Sequence, residues 1–153
     1  VNLHTMDLLD DELVLGRCPL TAFAERVVLE ITERATLERV KGVSQRVDSL
    51  RRLGYRIALD DLGAGYAGLT TFAHLEPDIV KVDRSLVSNI GADRTKQKLV
   101  KSFSQLCTEL GMRVVCEGVE TPEERDVVLS LECDLLQGYL FAKPDRSPPS
   151  VVW

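Results

Sequence analysis

Two hydrophobic periods alternate along this chain. Continuous apolar runs rich in β-branched residues occupy residues 26–31 (RVVLEI), 55–59 (YRIAL), 78–82 (DIVKV) and 113–116 (RVVC), and each reads as a buried strand. Between these runs the apolar residues recur at helical spacing. Residues 37–53 place Val40, Val43, Val47 and Leu50 on one face, and Gly54 follows as a stop. Residues 95–110 place Leu99, Phe103, Leu106 and Leu110 on one face, ahead of Gly111. Thr121-Pro122-Glu123-Glu124 is a helix start, with a capping Thr, Pro at the first position and a Glu that can reach back to the cap. Shorter strand signals lie at residues 1–3 and 134–136.

Strand–helix–strand alternation implies a parallel sheet, closed as a barrel or open and doubly wound. The polar residues at the strand ends help to choose. Asn2, Glu30, Asp60, Lys81, Glu117 and Gln137 each sit at or just beyond the C-terminal end of a predicted strand. A βα-barrel gathers such ends on one face, where its active site lies, whereas a doubly wound sheet spreads them along a line. No G-x-G-x-x-G follows the first strand, which argues against a dinucleotide fold. The expected fold is an α/β, TIM-like βα-barrel, incomplete, with about six of eight strands present. A full barrel takes about 250 residues, so roughly 100 are expected ahead of Val1. The domain is expected to run over residues 1–144, with a proline-rich tail at 145–153.

Composition narrows the function. With 153 residues, 44% of them hydrophobic, the chain supports one domain with a real core. Its net charge of −5 gives no electrostatic gain near a nucleic-acid polymer or an anionic membrane. An anionic substrate would therefore need a local reversal of the field, and bound divalent cations are the usual device. Cys18, Cys107, Cys116 and Cys133 form no C-x-x-C pair, so reduced cytoplasmic thiols are expected rather than a zinc knuckle. No apolar run approaches the roughly 20 residues of a membrane span.

Candidate chemistry concentrates at the strand ends. Asp60-Asp61 precedes Leu-Gly-Ala-Gly-Tyr. Adjacent carboxylates repel, and two metal ions sharing one of them would explain the pair, as would a helix cap beside a solvated acid. Gly63 and Gly65 suit a tight loop that approaches a ligand, or an ordinary turn. Glu30 lies inside an apolar strand, facing away from Leu29 and Ile31, where a charge needs a partner or a metal. Glu33 reads as the start of the next helix. Lys81, between Val80 and Val82, is a candidate to hold a water or a phosphate. It could instead be a Schiff-base lysine or pair structurally with Asp60 or Asp83. Glu117 can bind a metal or act as general base, Glu120 can support its loop or pair with an arginine, and the Gln137 amide can read a base or a phosphate. His4 and His74 have no metal-ligand spacing, and Cys116 lacks a histidine partner, so core packing is its expected role.

In series, V-N-L, L-E-I-T-E, D-D-L-G-A-G-Y, D-I-V-K-V-D, C-E-G-V-E and Q-G-Y-L-F resemble the successive strand-end motifs of the EAL domain, the cyclic-di-GMP phosphodiesterase family. The resemblance runs from Val1 to about Pro144. It implies hydrolysis of cyclic-di-GMP to linear pGpG with two Mg²⁺ or Mn²⁺ ions. By the same resemblance Asn2, Glu30 and Asp60 match ligands of one metal. Asp60 and Asp61 match ligands of the second, with Glu117 near it. Lys81 matches the lysine that orients the attacking water, Gln137 a residue beside the substrate, and Glu120 a supporting position. It further implies a homodimer formed through the loop and helix after Asp61, over residues 61–74.

The chain departs from the family pattern in places. The Glu-Ala-Leu segment, with its metal-ligating glutamate and nearby substrate-binding arginine, is not in the sequence and is expected ahead of Val1. Tyr66-Ala67-Gly68 stands where many members carry two serines, Cys116 where alanine is usual and Leu62 where phenylalanine is commoner. An active phosphodiesterase segment is the first expectation. A non-catalytic cyclic-di-GMP-binding or protein-interaction module is the second, and an aldolase-like barrel using Lys81 the third.

Overall fold

The structure is a computed structural model that describes residues 1–32, 42–64, 68–133 and 135–145. Its chain divides into two compact units, Val1–Val80 and Lys81–Trp153.

The first unit opens with Asn2 in a single parallel bridge to Glu30, where a short strand at 1–3 is expected. The hydrogen bonds around it are those of a ladder: the Glu30 N–H donates to the Val1 carbonyl at 2.9 Å and the Leu3 N–H to the Glu30 carbonyl at 2.8 Å. The 3-10 helix Thr5–Leu9 follows, and His4 caps it, its ring nitrogen accepting from the Met6 N–H at 3.2 Å. Next come α1 (Asp11–Val14), a second 3-10 helix (Pro19–Arg26) and β1 (Val28–Thr32). The helix expected over 37–53 is seen as α2 (Val43–Arg52), and residues 37–41 lie outside the described residues. Its Val43, Val47 and Leu50 are buried, as the helical period requires, and Gly54 at φ +101° ends the turn.

Strand β2 (Arg56–Leu62) runs three residues past the apolar stretch that announces it, so Asp60, Asp61 and Leu62 are its closing residues. It pairs in parallel with β1, Leu29 opposite Ile57 and Ile31 opposite Leu59, all four buried. Helix α3 (Gly68–Leu75) then leads to β3 (Ile79–Val82), whose first half closes this unit.

The second unit takes over within β3. Helix α4 (Arg84–Val87) follows at once, capped by Asp83, which accepts from the Ser85 N–H at 2.9 Å. A 3-10 turn at Ile90–Ala92 leads into α5 (Arg94–Glu109), where Asp93 accepts from the N–H groups of Thr95 and Lys96. Then come β4 (Arg113–Cys116), α6 (Pro122–Ser130) with the expected Thr121–Glu124 capping box, and β5 (Leu135–Leu136). Asp134 lies outside the described residues. Strands β1 to β5 are neighbours in chain order, and the β1–β2 and β4–β5 pairs are parallel. A doubly wound sheet reverses its strand order at a switch point; this order never reverses, as in a barrel. Among the described residues, five strands and one bridge thus stand where six strands are expected.

Helix α5 corrects one expectation. The spacing of Leu99, Phe103, Leu106 and Leu110 marks them as the buried face. The structure instead buries Val100, Ser104 and Cys107, and leaves Leu99, Leu106 and Leu110 38–53% exposed. One reason is polar: the Ser104 hydroxyl on the inward face donates to the Glu132 carbonyl at 2.8 Å, which an apolar residue cannot do. Leu106→Lys should therefore change unfolding free energy by no more than about 0.5 kcal/mol, whereas Val100→Asp should cost roughly 3 kcal/mol or more. Urea unfolding of both variants checks this, and a large loss from Leu106→Lys would mean the face is covered.

Candidate functional site

In the first unit, strand register gathers acidic and amide groups. Paired residues in a parallel ladder share a face, and so do residues two apart along one strand. Asn2 pairs with Glu30, Glu30 with Ala58, and Asp60 stands two residues beyond Ala58. Asn2, Glu30 and Asp60 therefore share one face, opposite Leu29 and Ile31. These are hard oxygen donors, the kind that suits Mg²⁺ or Mn²⁺ over thiophilic metals.

Asp61 would point to the other face in a regular strand. Its backbone instead adopts φ +59°. That left-handed conformation costs about 1–2 kcal/mol and is tolerated best by Gly, Asn and Asp. Its effect is to bring a carboxylate oxygen of Asp61 within 4.8 Å of one of Asp60. The Asp61 N–H donates to Asp60 Oδ1 at 3.1 Å, and the Asp61 carbonyl accepts from the Ala64 N–H at 3.1 Å, which holds the turn. Two half-buried carboxylates so placed repel each other and are suited to a cation. The twist at Asp61 is the feature that sequence pattern does not announce. Glu33, Gly65, Tyr66 and Ala67 lie outside the described residues.

In the second unit, Lys81 Nζ meets Glu117 Oε1 at 2.8 Å, and both side chains are largely buried, at 11% and 16% exposure. Glu117 is thus an ion-pair partner of this lysine, while Asp83 caps α4. Glu117 follows β4 directly and donates its N–H to the Val82 carbonyl at 3.0 Å. The Gln137 N–H donates to the Cys116 carbonyl at 2.9 Å, and the Val119 N–H to the Gln137 carbonyl at 3.0 Å. Gln137 thus sits exposed just past the β5 end, beside the Glu117 loop.

Glu120 lies three residues on, its carboxylate 3.0 Å from an Arg84 guanidinium nitrogen. Glu124 braces the same loop by accepting from the N–H groups of Glu120, Thr121 and Asn89. Burial pushes the Glu124 carboxyl up, but those three N–H groups and nearby Arg84 outweigh it and hold the group below its ordinary value. Its stabilising contribution is thus fully present at neutral pH and is lost as pH falls through the lowered value.

Cys116 is fully buried, and a thiol contact with Cys133 followed by burial raises its pKa; burial, then Cys133, pushes Cys107 up to about 11. Neutral buried thiols pack rather than attack. Arg84 is the site neighbour that the strand-end pattern misses, because it belongs to a helix and pairs through folding alone.

The EAL domain family model matches residues 1–144. Cyclic di-GMP phosphodiesterase PdeF of Escherichia coli K12 is 38% identical over 121 residues, 79% of this chain and 16% of that protein. The blue light- and temperature-regulated antirepressor BluF of the same organism is 32% identical over 130 residues, 84% of this chain and 32% of that protein. The manganese and cyclic di-GMP complex of Klebsiella pneumoniae BlrP1 at pH 9.0 matches with a TM-score of 0.84 at 37% identity, covering 94% of this chain and 38% of that one. The chain thus spans about a third or less of the length of the curated relatives it matches.

Proposed function

The chain belongs to the EAL domain family, and from that premise we propose that it supplies the metal-binding and water-orienting part of a site that hydrolyses cyclic-di-GMP to linear pGpG. The observation that carries the reading is the shared face of Asn2, Glu30 and Asp60 with the turned-back Asp61 beside them. Asn2, Glu30 and Asp60 would hold one Mg²⁺ or Mn²⁺. Asp60 and Asp61 would hold the other, with Glu117 near it. Such cations would supply neutralisation of the phosphate and a lowered pKa for a water.

Lys81 orients that water, and Glu117 fixes the Lys81 ammonium. The water oxygen bonds to phosphorus, the ribose 3′ oxygen leaves, and the proton released by the water ends on that oxygen. Gln137 lies beside the substrate, and Glu120 supports the loop. We further propose that the protein acts in the cytoplasm as a homodimer joined through residues 61–74. No helix among the described residues is long and apolar enough to cross a membrane.

BluF, a relative described as an antirepressor, favours a second reading: a module that binds cyclic-di-GMP or a protein without turnover. Hydrolysis of cyclic-di-GMP in Mg²⁺ or Mn²⁺, set beside calorimetric binding in Ca²⁺, separates the two. Turnover supports the hydrolase. Binding without turnover supports the module, and neither from a folded sample removes both for this chain.

Lys81→Met keeps the stem and removes the charge. It should lower kcat by roughly 10²–10⁴-fold, the range of a positioned proton-handling group, and leave KM within about threefold. A rise in KM with kcat unchanged would make Lys81 a binding residue instead.

A further inference from the structure

We propose that Arg84 is a positioning residue for Glu117, and through it for the Lys81 ammonium. This deepens the hydrolase reading and, for its effect on turnover, rests on it.

Lys81 and Arg84 are three residues apart on one stretch, and Glu117 and Glu120 are three apart on another. The stretches meet at two ion pairs, Lys81–Glu117 at 2.8 Å and Arg84–Glu120 at 3.0 Å. Between them lies Gly118, at φ +67°. A Cβ built on Gly118 would fall 2.4 Å from Arg84 Cγ and 2.6 Å from its Cβ. The arginine stem thus fills the volume a side chain at position 118 would need. Arg84 therefore grips the loop twice, by its stem over Gly118 and by its guanidinium on Glu120.

The other side of the loop is held by the Glu117–Val82 and Val119–Gln137 backbone hydrogen bonds, 3.0 Å each. Arg84 is itself fixed, as the first residue of α4 behind its Asp83 cap. The inner pair is largely buried, whereas the outer pair is 59% and 37% exposed. An exposed pair adds little to stability, so the consequence of this one is geometric. It sets how Glu117 meets Lys81, and errors of an ångström at a reacting centre cost about 10²-fold in rate.

The test uses the full chain with Arg84→Ala, Arg84→Met and Arg84→Lys. Amide hydrogen exchange is followed at Glu117 and Val119, and kcat and KM are measured on cyclic-di-GMP with Mn²⁺. Arg84→Ala should speed exchange at both amides by about tenfold. It should lower kcat by roughly 10–100-fold at unchanged KM, and leave the thermal midpoint within about 2 °C. Arg84→Met restores the stem and part of the protection; Arg84→Lys restores stem and charge and most of both readouts. Unchanged exchange in Arg84→Ala overturns the proposal, as does faster exchange with undiminished kcat. A wild-type chain that exchanges normally but does not turn over removes the hydrolase reading. The exchange comparison, which needs no substrate, still decides whether Arg84 holds Glu117.

Discussion

Asp60→Ala in the complete domain should reduce metal-dependent hydrolysis by roughly 10³-fold or more while the protein remains folded. Asp60 is proposed as a ligand shared by both cations, so its loss weakens both at once. A metal clamp supplies several kcal/mol of transition-state stabilisation, and each 1.36 kcal/mol is tenfold in rate. The fold should tolerate the change because the lost group is half-buried and a like charge is removed from beside Asp61. Among what the fold gives up is the acceptor for the Asp61 N–H, at 3.1 Å. Asp60→Asn keeps an oxygen there and separates the two effects: it should protect the Asp61 turn yet still lose most turnover. Product formation in Mn²⁺, calorimetric metal binding and thermal unfolding read out the three consequences. Substantial turnover in both variants would contradict the shared-ligand role.

The largest effect on stability from adding a single methyl group is expected at Gly138. A Cβ built there would lie 2.0 Å from the Val119 carbonyl oxygen and 2.3 Å from the Val119 nitrogen. Both are backbone atoms and neither can swing aside. Val119 is fully buried, and its N–H and carbonyl bond Gln137 and Leu140 at 3.0 Å each. Gly138→Ala must push two hydrogen-bonded backbone segments apart, so a cost of about 3 kcal/mol is expected, the upper end of overpacking penalties. That is a large share of the roughly 5–15 kcal/mol that holds a typical domain together. Gly118→Ala gives the contrast, since its Cβ meets the side chain of Arg84, which can move. Its cost should stay nearer 1–2 kcal/mol, from its left-handed backbone. Urea unfolding midpoints rank the two, and the reverse order would mean that the Gly138–Val119 approach is looser than the structure has it.

The sequence made β4 legible to the residue, because its β-branched run is bounded by Gly111 behind and an acid ahead. Glu117 and Gln137, just past the ends of β4 and β5, were legible for the same reason, whereas Glu30, expected at a strand end, falls in the middle of β1 and Asn2 in an isolated bridge. The mutual placement of Asn2 and Glu30 was not legible, since a ladder partner some thirty residues away is fixed by the fold and not by local pattern. The turn at Asp61 was hidden because Asp suits a strand end, a cap and the left-handed region alike. Helix α5 misled: Leu99, Leu106 and Leu110 are larger apolar side chains than Val100, Ser104 and Cys107, so hydrophobic spacing pointed to the exposed side. The short helices at residues 5–9, 11–14 and 19–26 left no periodic trace, and the first two are held by the caps His4 and Asp10.

The unreversed order of the strands has a consequence for how the chain folds. Each strand finds its neighbour one crossover away, so the segments to be closed run to no more than 30 residues. Contacts between elements close in sequence favour fast folding. They also let each strand and helix dock on those already formed, so that a chain emerging from the ribosome can grow its sheet in the order in which it is made.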